Sequence, residues 1–578
     1  MQETFFEKNF IKNGQSLIAL NKFEAERLLQ FNNIKFQMSP VPPSVTKCER
    51  SERIKTLTKK TKNFNTMILV LNFGGQYSHL IARRVRDFGV YADVKPCDIS
   101  LREIGKFKPD GIILSGGPSS VYEHNAPTMD RKILGLGIPI LGICYGEQLI
   151  GKLIGGNVLG NKLKEFGKKI LHVKKTGKLL KGLSKNEQVW MSHGDLVESL
   201  PKDFEILAST DTCKIAAFEN TDRRLYGIQF HAEVVHTLKG NQILENFVFG
   251  ICRAKIDWRI NNLSKKLVKE IKKSVGKDSV IMGVSGGVDS TVAATLIHKA
   301  IGSRLYCVFV DHGLVRKNES EEVRNFFEKK LKFKHFHFAD ASKIFLEKLI
   351  GITDPEEKRK IIGHTFIEVF ENKVIELEKK YPTIKFLGQG TIYPDRIESA
   401  EPTKYASKIK SHHNVTLPDK MRLKVIEPLR EFYKDEVRKL GTELKIPHEI
   451  LQRHPFPGPG LAIRILGEVT KERLNILRDA DFIFIGELKK SGYYDKTWQA
   501  FAALIPVKAV GVKGDARTYE YIITLRAVTS LDAMTADWAR IPNELLEMIS
   551  NRILNEVQGV NRVLYDISQK PPATIEYE

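Results

Sequence analysis

The 578-residue chain has no apolar run approaching the ~18 residues that a bilayer-crossing helix needs, and no secretory h-region near its start. Neither a helical membrane anchor nor a signal or transit peptide is expected, and the reading is a water-soluble, cytoplasmic protein. Its six cysteines, Cys48, Cys97, Cys144, Cys213, Cys252 and Cys307, never form a Cys-x-x-Cys pair, which argues against a zinc ribbon and a disulfide framework. The Walker spacing is missing too: Gly276-Lys277 is not followed by Ser or Thr, which excludes a kinase-type phosphate loop. Internal repeats and aromatic-basic RNA motifs are also absent. The formal net charge of +22 attracts anions, but charge alone does not choose between nucleotides and nucleic acids, and solvated lysine faces account for most of it.

What is present suggests several domains, since the length is several times that of one hydrophobic core. Residues 1–66 stand apart, with Pro40, Pro42 and Pro43, a basic run through Lys55, Lys59, Lys60 and Lys62, and scattered acids such as Glu3 and Glu24. They are expected to be a dispensable, disordered extension ahead of a natural start at Met67. From Met67 the text becomes a continuous apolar run ending at Gly74-Gly75, as in a parallel strand buried on both faces. Further strand-like runs at 111–114, 139–143 and 225–230, separated by helical periodicity, predict an α/β domain over 67–256. A basic helix over 257–273 and a strand over 280–284 open a second α/β domain, 257–454. After Pro455-Phe-Pro-Gly-Pro-Gly460, amphipathic helices mixed with short strands predict a third domain, 455–578.

The segment 138–148 reads as strand, Gly142-Ile-Cys144-Tyr-Gly146, then helix. Flanking glycines allow a strained elbow that presents a nucleophile at the carboxyl end of a sheet, and a helix start favours thiolate there. A lone cysteine of this kind is as often a buried structural thiol, but it has partners. The run from Leu225 ends in His231-Ala-Glu233, and in an extended chain that spacing puts both side chains on one side. Glu233 could then orient His231, and His231 could take the Cys144 proton. The turn Leu114-Ser-Gly-Gly-Pro118 offers backbone N–H groups for an oxyanion hole, with Gly117 and Tyr145 the expected donors.

Together with Ser192-His193-Gly194-Asp195, these motifs resemble a class I glutamine amidotransferase domain, which forms a glutamyl thioester on Cys and releases ammonia. The resemblance implies that Gln148, His193 and Asp195 help to bind glutamine. Where that family usually reads His-Pro-Glu, this chain has His231-Ala232-Glu233, which keeps both functional side chains.

Ser285-Gly286-Gly287-Val288-Asp289-Ser290 follows a strand and opens a helix, an arrangement that gathers backbone donors for an anion. It resembles the pyrophosphate loop of N-type ATP pyrophosphatases, which cleave ATP between the α and β phosphates and adenylate a substrate oxygen. The resemblance implies that the loop holds pyrophosphate, that Asp289 helps to hold Mg²⁺ brought with ATP, and that the strand 305–311, with Val310, lies beside the adenine.

Further segments, at 351–363, 388–395, 409–415, 454–464 and 570–576, are similar to GMP synthetases, and the likeness runs from Met67 to Glu578. In that family ammonia aminates xanthosine monophosphate (XMP) through an adenylated intermediate. The implied fold is a multidomain α/β protein: a flavodoxin-like amidotransferase domain, a Rossmann-like ATP pyrophosphatase domain and an α+β dimerisation domain. Lys570 supplies a cation for the nucleotide phosphate, while Pro571-Pro572 stiffens the approach of Ile575 and Glu576 to a base. The likeness adds Arg464 and Thr574 to the XMP set and implies a homodimer with glutamine, ATP and XMP as partners, without nucleic acid or membrane. Tyr577 stands where Trp is usual, and Val415-Thr-Leu-Pro418 looks shortened. The alternatives are an NAD synthetase, which normally carries a nitrilase-like glutaminase, and a basic nucleic-acid-binding protein on the same scaffold.

Overall fold

The apolar run Met67–Asn72 forms β1, whose four central residues are buried whichever face they point to, as a strand covered on both sides demands. In the computed structural model, residues 66–75, 77–398, 423–530 and 535–578 are described. Residues 1–65 of the 1–66 extension, the motif 409–415 and the Val415–Pro418 departure lie outside them.

β1 pairs in parallel with β2 (Tyr91–Pro96) and β3 (Gly111–Leu114), and β3 with β4 (Ile140–Ile143). Helix α1 (Ser78–Asp87) links β1 to β2, and α2 (Tyr145–Leu153) follows β4. Five more strands, β5 (Asn157–Val173), β6 (Asn186–Ser199), β7 (Glu205–Ser209), β8 (Ala217–Asn220) and β9 (Leu225–Ile228), complete the sheet β2-β1-β3-β4-β9-β8-β7-β5-β6. Pairs from β2 to β9 are parallel, in the flavodoxin-like order expected; those from β9 to β6 are antiparallel and form a flap that the sequence reading did not anticipate. Parallel order places loops for ligands at the carboxyl ends of β3, β4 and β9.

The second sheet is wholly parallel, in the order β12-β11-β10-β13-β14. Its strands are β10 (Ser279–Gly283), β11 (Leu305–Asp311), β12 (His335–Asp340), β13 (Ile384–Gly388) and β14 (Lys424–Ile426). Helices α3 (Ile260–Val275), α4 (Val288–Ile301), α5 (Pro355–Lys380) and α6 (Lys434–Glu443) accompany it. The segment similar to a lid, 351–363, becomes a loop and the first turns of α5, where Asp354 caps Glu357 N and Pro355 takes the first helical position.

The third sheet corrects the expectation of short strands. β15 (Gln499–Lys513) and β16 (Ala516–Thr529) form one long antiparallel hairpin, joined by Gly514-Asp515 with positive φ at both residues. That pair is the two-residue turn whose twist suits a hairpin. β17 (Asp537–Trp538) and β18 (Val560–Tyr565) flank β16, and α7 (Lys471–Lys490) and α8 (Asn543–Glu556) cover the sheet.

Arg86 of α1 joins the first two sheets. Its guanidinium donates to Ala92 O at 2.7 and 2.8 Å, to Glu431 O at 2.6 Å and to Glu436 at 3.2 Å. Tyr91, Trp258, Tyr393 and Tyr433 surround it, with ring centroids 4.7 to 5.1 Å away. A buried cation needs such complete pairing. Among the described residues no helix is long and apolar enough to cross a membrane.

Candidate active sites

Cys144 sits between β4 and α2 at φ 54°, ψ −109°, a strained conformation that lifts the thiol out of the strand line. Both neighbouring glycines are sterically required: a Cβ on Gly142 would lie 2.5 Å from Gly146 O, and one on Gly146 2.5 Å from Leu114 O. The turn after β3 presses close to the thiol, since a Cβ on Gly116 would meet His231 Cε1 at 3.0 Å and Cys144 Cβ at 3.7 Å. Gly117 belongs to this turn and Tyr145 is the first residue of α2, so both expected oxyanion donors flank the elbow.

β9 ends at Ile228, and His231–Glu233 lies on a bend, not on the extended chain expected. The bend still brings His231 Nδ1 to 2.7 Å from Glu233 Oε1. It is pinned by His231 N donating to Trp190 O at 3.0 Å, by Thr237 Oγ1 donating to His231 O at 2.6 Å and by Arg84 Nε donating to Glu233 O at 3.0 Å. Burial disfavours the His231 cation, but Glu233 and the Cys144 sulfur outweigh it and hold the imidazolium well above its ordinary range. The Tyr77 ring packs edge-on against His231 at 5.1 Å.

The Ser192–Asp195 segment of β6 forms the next wall, with Cys144 Sγ 3.6 Å from Ser192 O. Gln148 Nε2 donates to Asp195 O at 2.7 Å and to Gln229 Oε1 at 3.1 Å. His193, expected to help bind glutamine, has both ring nitrogens engaged, at 2.9 Å each, by Asp195 O and Glu165 Oε2. The ring therefore supports the wall from behind. Glu147, one turn into α2, is fully buried, neither carboxyl oxygen has a partner among the described residues, and burial together with Cys144 pushes its carboxyl well above the usual range.

The second candidate site lies at the carboxyl ends of β10 and β11. Ser290 Oγ sits 3.2 Å from Ser285 N and 3.1 Å from Ser285 Oγ, while Gly287 N donates to Ser285 Oγ at 3.3 Å, curling 285–290 into a loop at the start of α4. Gly286 has φ 73°, and its carbonyl accepts from Arg453 at 3.1 Å. Asp289 Oδ2 pairs with Lys434, the first residue of α6, and Oδ1 has no partner among the described residues. Lys434 was missed by sequence reasoning because 145 residues separate it from the loop.

Beside the loop a cavity of about 700 Å³ is lined by Asp311, Arg316, Phe338, Ser342 and Arg478, among others. Val310 is not part of this lining; its side chain lies in the apolar core shared with α7 and β15, because alternate residues of β11 face opposite ways. Arg316, also missed, pairs with Asp481 at 3.3 Å, yet its Nε and one terminal nitrogen lack a hydrogen-bond partner among the described residues. A buried guanidinium with idle donors beside a cavity suits an anionic ligand. The signal for it, a basic residue soon after an apolar strand, is common in any sequence.

The carboxyl-terminal tail is packed from Ile575 onward, while Pro571, Pro572 and Thr574 stay exposed. Arg464 forms a two-pronged bond to Glu576 at 2.9 and 3.1 Å, and Gln499 Nε2 donates to the same carboxylate at 2.6 Å. Arg526 donates to Thr574 O and Ile575 O, each at 2.8 Å, and the backbone of Lys570 pairs with that of Ala536. The hydroxyl of Tyr577 reaches Asp566 at 2.9 Å and Thr524 at 3.0 Å. Lys358 of α5 pairs with Glu578 at 2.5 Å, tying the chain end to the segment similar to a lid.

The class-I glutamine amidotransferase family matches residues 69–251, the NAD synthase family 259–360 and the GMP synthase C-terminal domain family 486–577. The chain is 55% identical over 514 residues to the glutamine-hydrolysing GMP synthase of Aquifex aeolicus, covering 88% of this chain and 99% of that protein. The corresponding enzyme of Carboxydothermus hydrogenoformans is 56% identical over 512 residues, and that of Brachyspira hyodysenteriae 52% over 512. The NAD synthase match is confined to the phosphate-loop region, whereas the amidotransferase match and the identity across almost all of the relatives' length tie both candidate sites to one enzyme. The chain therefore belongs to the glutamine-hydrolysing GMP synthases.

Proposed function

We propose that Cys144, His231 and Glu233 release ammonia from glutamine, and that the 285–290 loop, with Arg316 and the terminal tail, activates XMP for its capture. The observation that carries this reading is that the Cys144 elbow and a His231 imidazole already held by Glu233 both press against Gly116, where a single added Cβ would lie 3.7 Å from Cys144 Cβ and 3.0 Å from His231 Cε1. His231 takes the thiol proton, and the thiolate attacks the glutamine amide carbon. Gly117 and Tyr145 N–H groups receive the negative oxygen, while His231 returns the proton to the departing nitrogen. Water then cleaves the thioester to glutamate. Gln148, Asp195 and the backbone near His193 orient the substrate.

In the synthetase step Ser285, Gly286, Gly287, Val288 and Ser290 hold the departing pyrophosphate, with ATP lying towards the 700 Å³ cavity on the opposite face of β11 from the Val310 side chain. Asp289 fits a hard divalent cation: its unpartnered oxygen is an acceptor, and phosphate oxygens would complete the coordination. Mg²⁺ bound there would neutralise charge on the phosphates. Lys434, released from Asp289, would then turn to the same anion. Arg464, Lys570, Thr574, Ile575 and Glu576 receive XMP, with Arg464 held by Glu576 until the base arrives. Ammonia attacks carbon C2 of the adenylated XMP, the C2–O bond breaks, AMP leaves with that oxygen, and loss of a proton from the nitrogen gives GMP. Transit of the ammonia within the protein keeps it unprotonated.

The segments 67–256, 257–454 and 455–578 serve as the glutaminase, pyrophosphatase and dimerisation units. The exposed Val510, Val512 and Tyr519 of the β15/β16 hairpin form an apolar face suited to a second copy of the chain. Free cysteines and anionic substrates fit a cytoplasmic setting. The deciding assay is pyrophosphate release by the purified full chain: it should require both ATP and XMP, and release without XMP would refute the acceptor.

A further inference from the structure

Behind the Cys144 site, on the antiparallel flap, lies a buried charged group that no step above uses. Glu165 of β5 stands directly opposite His193 of β6 in the strand register, just past a bulge between Gly160 and Glu165. Both side chains are almost completely enclosed, at 2% and 1% exposure. Thr210 Oγ1 donates to Glu165 Oε1 at 2.8 Å, and Thr212 donates to the same oxygen. The other carboxylate oxygen receives His193 Nε2 at 2.9 Å, and His193 Nδ1 lies 2.9 Å from Asp195 O.

Each ring nitrogen of His193 faces an oxygen acceptor, the Glu165 carboxylate on one side and the Asp195 carbonyl on the other. Burial disfavours the charge on Glu165, but His193 and the two threonines prevail and bring its carboxyl down to about 2. The Asp195 carbonyl thus takes hydrogen bonds from both His193 and Gln148 Nε2. That carbonyl belongs to the segment whose Ser192 carbonyl lies 3.6 Å from the Cys144 sulfur.

We infer that Glu165 and His193 form a buried clamp that sets the glutamine-binding edge of the site, with Glu165 as a positioning residue for glutamine hydrolysis. The inference rests on the assignment of Cys144 as nucleophile and adds the part that holds its substrate in register. Glu165 never touches glutamine. It holds the His193 ring in one orientation; His193 then fixes Asp195, and the strand edge cannot drift from the thiol.

The test is a split between substrates in the full-length protein, with XMP and ATP saturating and nitrogen supplied as glutamine or as ammonium. Glu165→Ala should raise the glutamine KM at least about tenfold, the loss of one charge-assisted hydrogen bond, and leave the ammonium-supported rate within about twofold. Glu165→Gln, whose amide can still meet the ring and the threonines, should recover most of the glutamine KM. Glu165→Asp keeps the charge but withdraws it by a methylene and should raise that KM about fivefold; it decides the matter if the Ala variant does not fold. An unchanged glutamine KM in the Asp variant, or equal loss of glutamine-supported and ammonium-supported activity in the Gln variant, overturns the clamp. Retention of glutamine use by Cys144→Ala would instead overturn the nucleophile and leave the clamp result to be read separately.

Discussion

The two candidate sites differ in how much of each is assembled before substrate arrives. Around Cys144 every part is in place: a strained elbow, an imidazole locked by Glu233, and a strand edge braced by buried charge. Around Asp289 the loop is curled, but its acid is paired with Lys434 and a buried arginine has idle donors. Covalent catalysis gains from rigidity, because nucleophile, base and oxyanion donors must align within fractions of an ångström. A nucleotide site can let its ligand and cation supply the missing partners, since binding energy is available to break temporary pairs.

The largest effect expected to break this contrast comes from Cys144→Ala. Glutamine-supported GMP formation should fall at least about ten-thousandfold, while ammonium-supported formation stays within about twofold in a steady-state assay. Equal loss of both would mean that the sites are not separable. Next is Arg86→Met, which leaves Glu436 buried without its cation and should cost about 3–5 kcal/mol in urea denaturation. A change below about 1 kcal/mol there would show that the Arg86 cage is not what joins the sheets. Asp289→Ala should lower both nitrogen routes together by about a hundredfold, roughly 2.7 kcal/mol, with a raised Mg²⁺ requirement. If only glutamine use fell, the synthetase assignment of the loop would fail.

The smallest effect sharpens the picture of the rigid site. The folded chain keeps the Glu147 proton, while the unfolded chain gives it up in the ordinary carboxyl range. Stability should therefore fall as pH rises above that range, with a slope of at most about 1.4 kcal/mol per pH unit from this group. Glu147→Gln removes the slope, so thermal denaturation at several pH values should show its advantage over the parent growing with pH. Parallel curves would mean that Glu147 ionises freely inside the fold.

Much of this was legible in the sequence because it is local. The strands 111–114 and 305–311 end where their apolar runs end, and the elbow and phosphate loop are contiguous motifs that the structure folds as turn and helix start. His231 and Glu233 were paired correctly for the wrong reason: a bend pinned by Thr237 and Arg84, not an extended chain, brings them together. What stayed hidden depends on distant partners. β5 carries Gly160, Gly167 and several lysines, which weaken any alternating pattern, and nothing local singles out Glu165, which β6 and the threonines close over only in the fold. The long β15/β16 hairpin was obscured by an exposed tip where apolar Val510 and Val512 alternate with lysines and glycine, and Gly514-Asp515 was not read as a turn. Arg86, Arg316 and Lys434 are ordinary basic residues in the text and acquire meaning only through burial and pairing.

The cage around Arg86 bears on how such a chain could be divided. Tyr393 and Tyr433, which follow the phosphate loop in sequence, pack within the apolar core of the first sheet, while Tyr91 of that sheet packs within the core of the second. Two separate polypeptides cut near residue 256 would each begin life with a gap in their own interior. Their meeting would be the last stage of folding for both, not the docking of finished parts, so the yield of active enzyme from split genes should depend on co-expression.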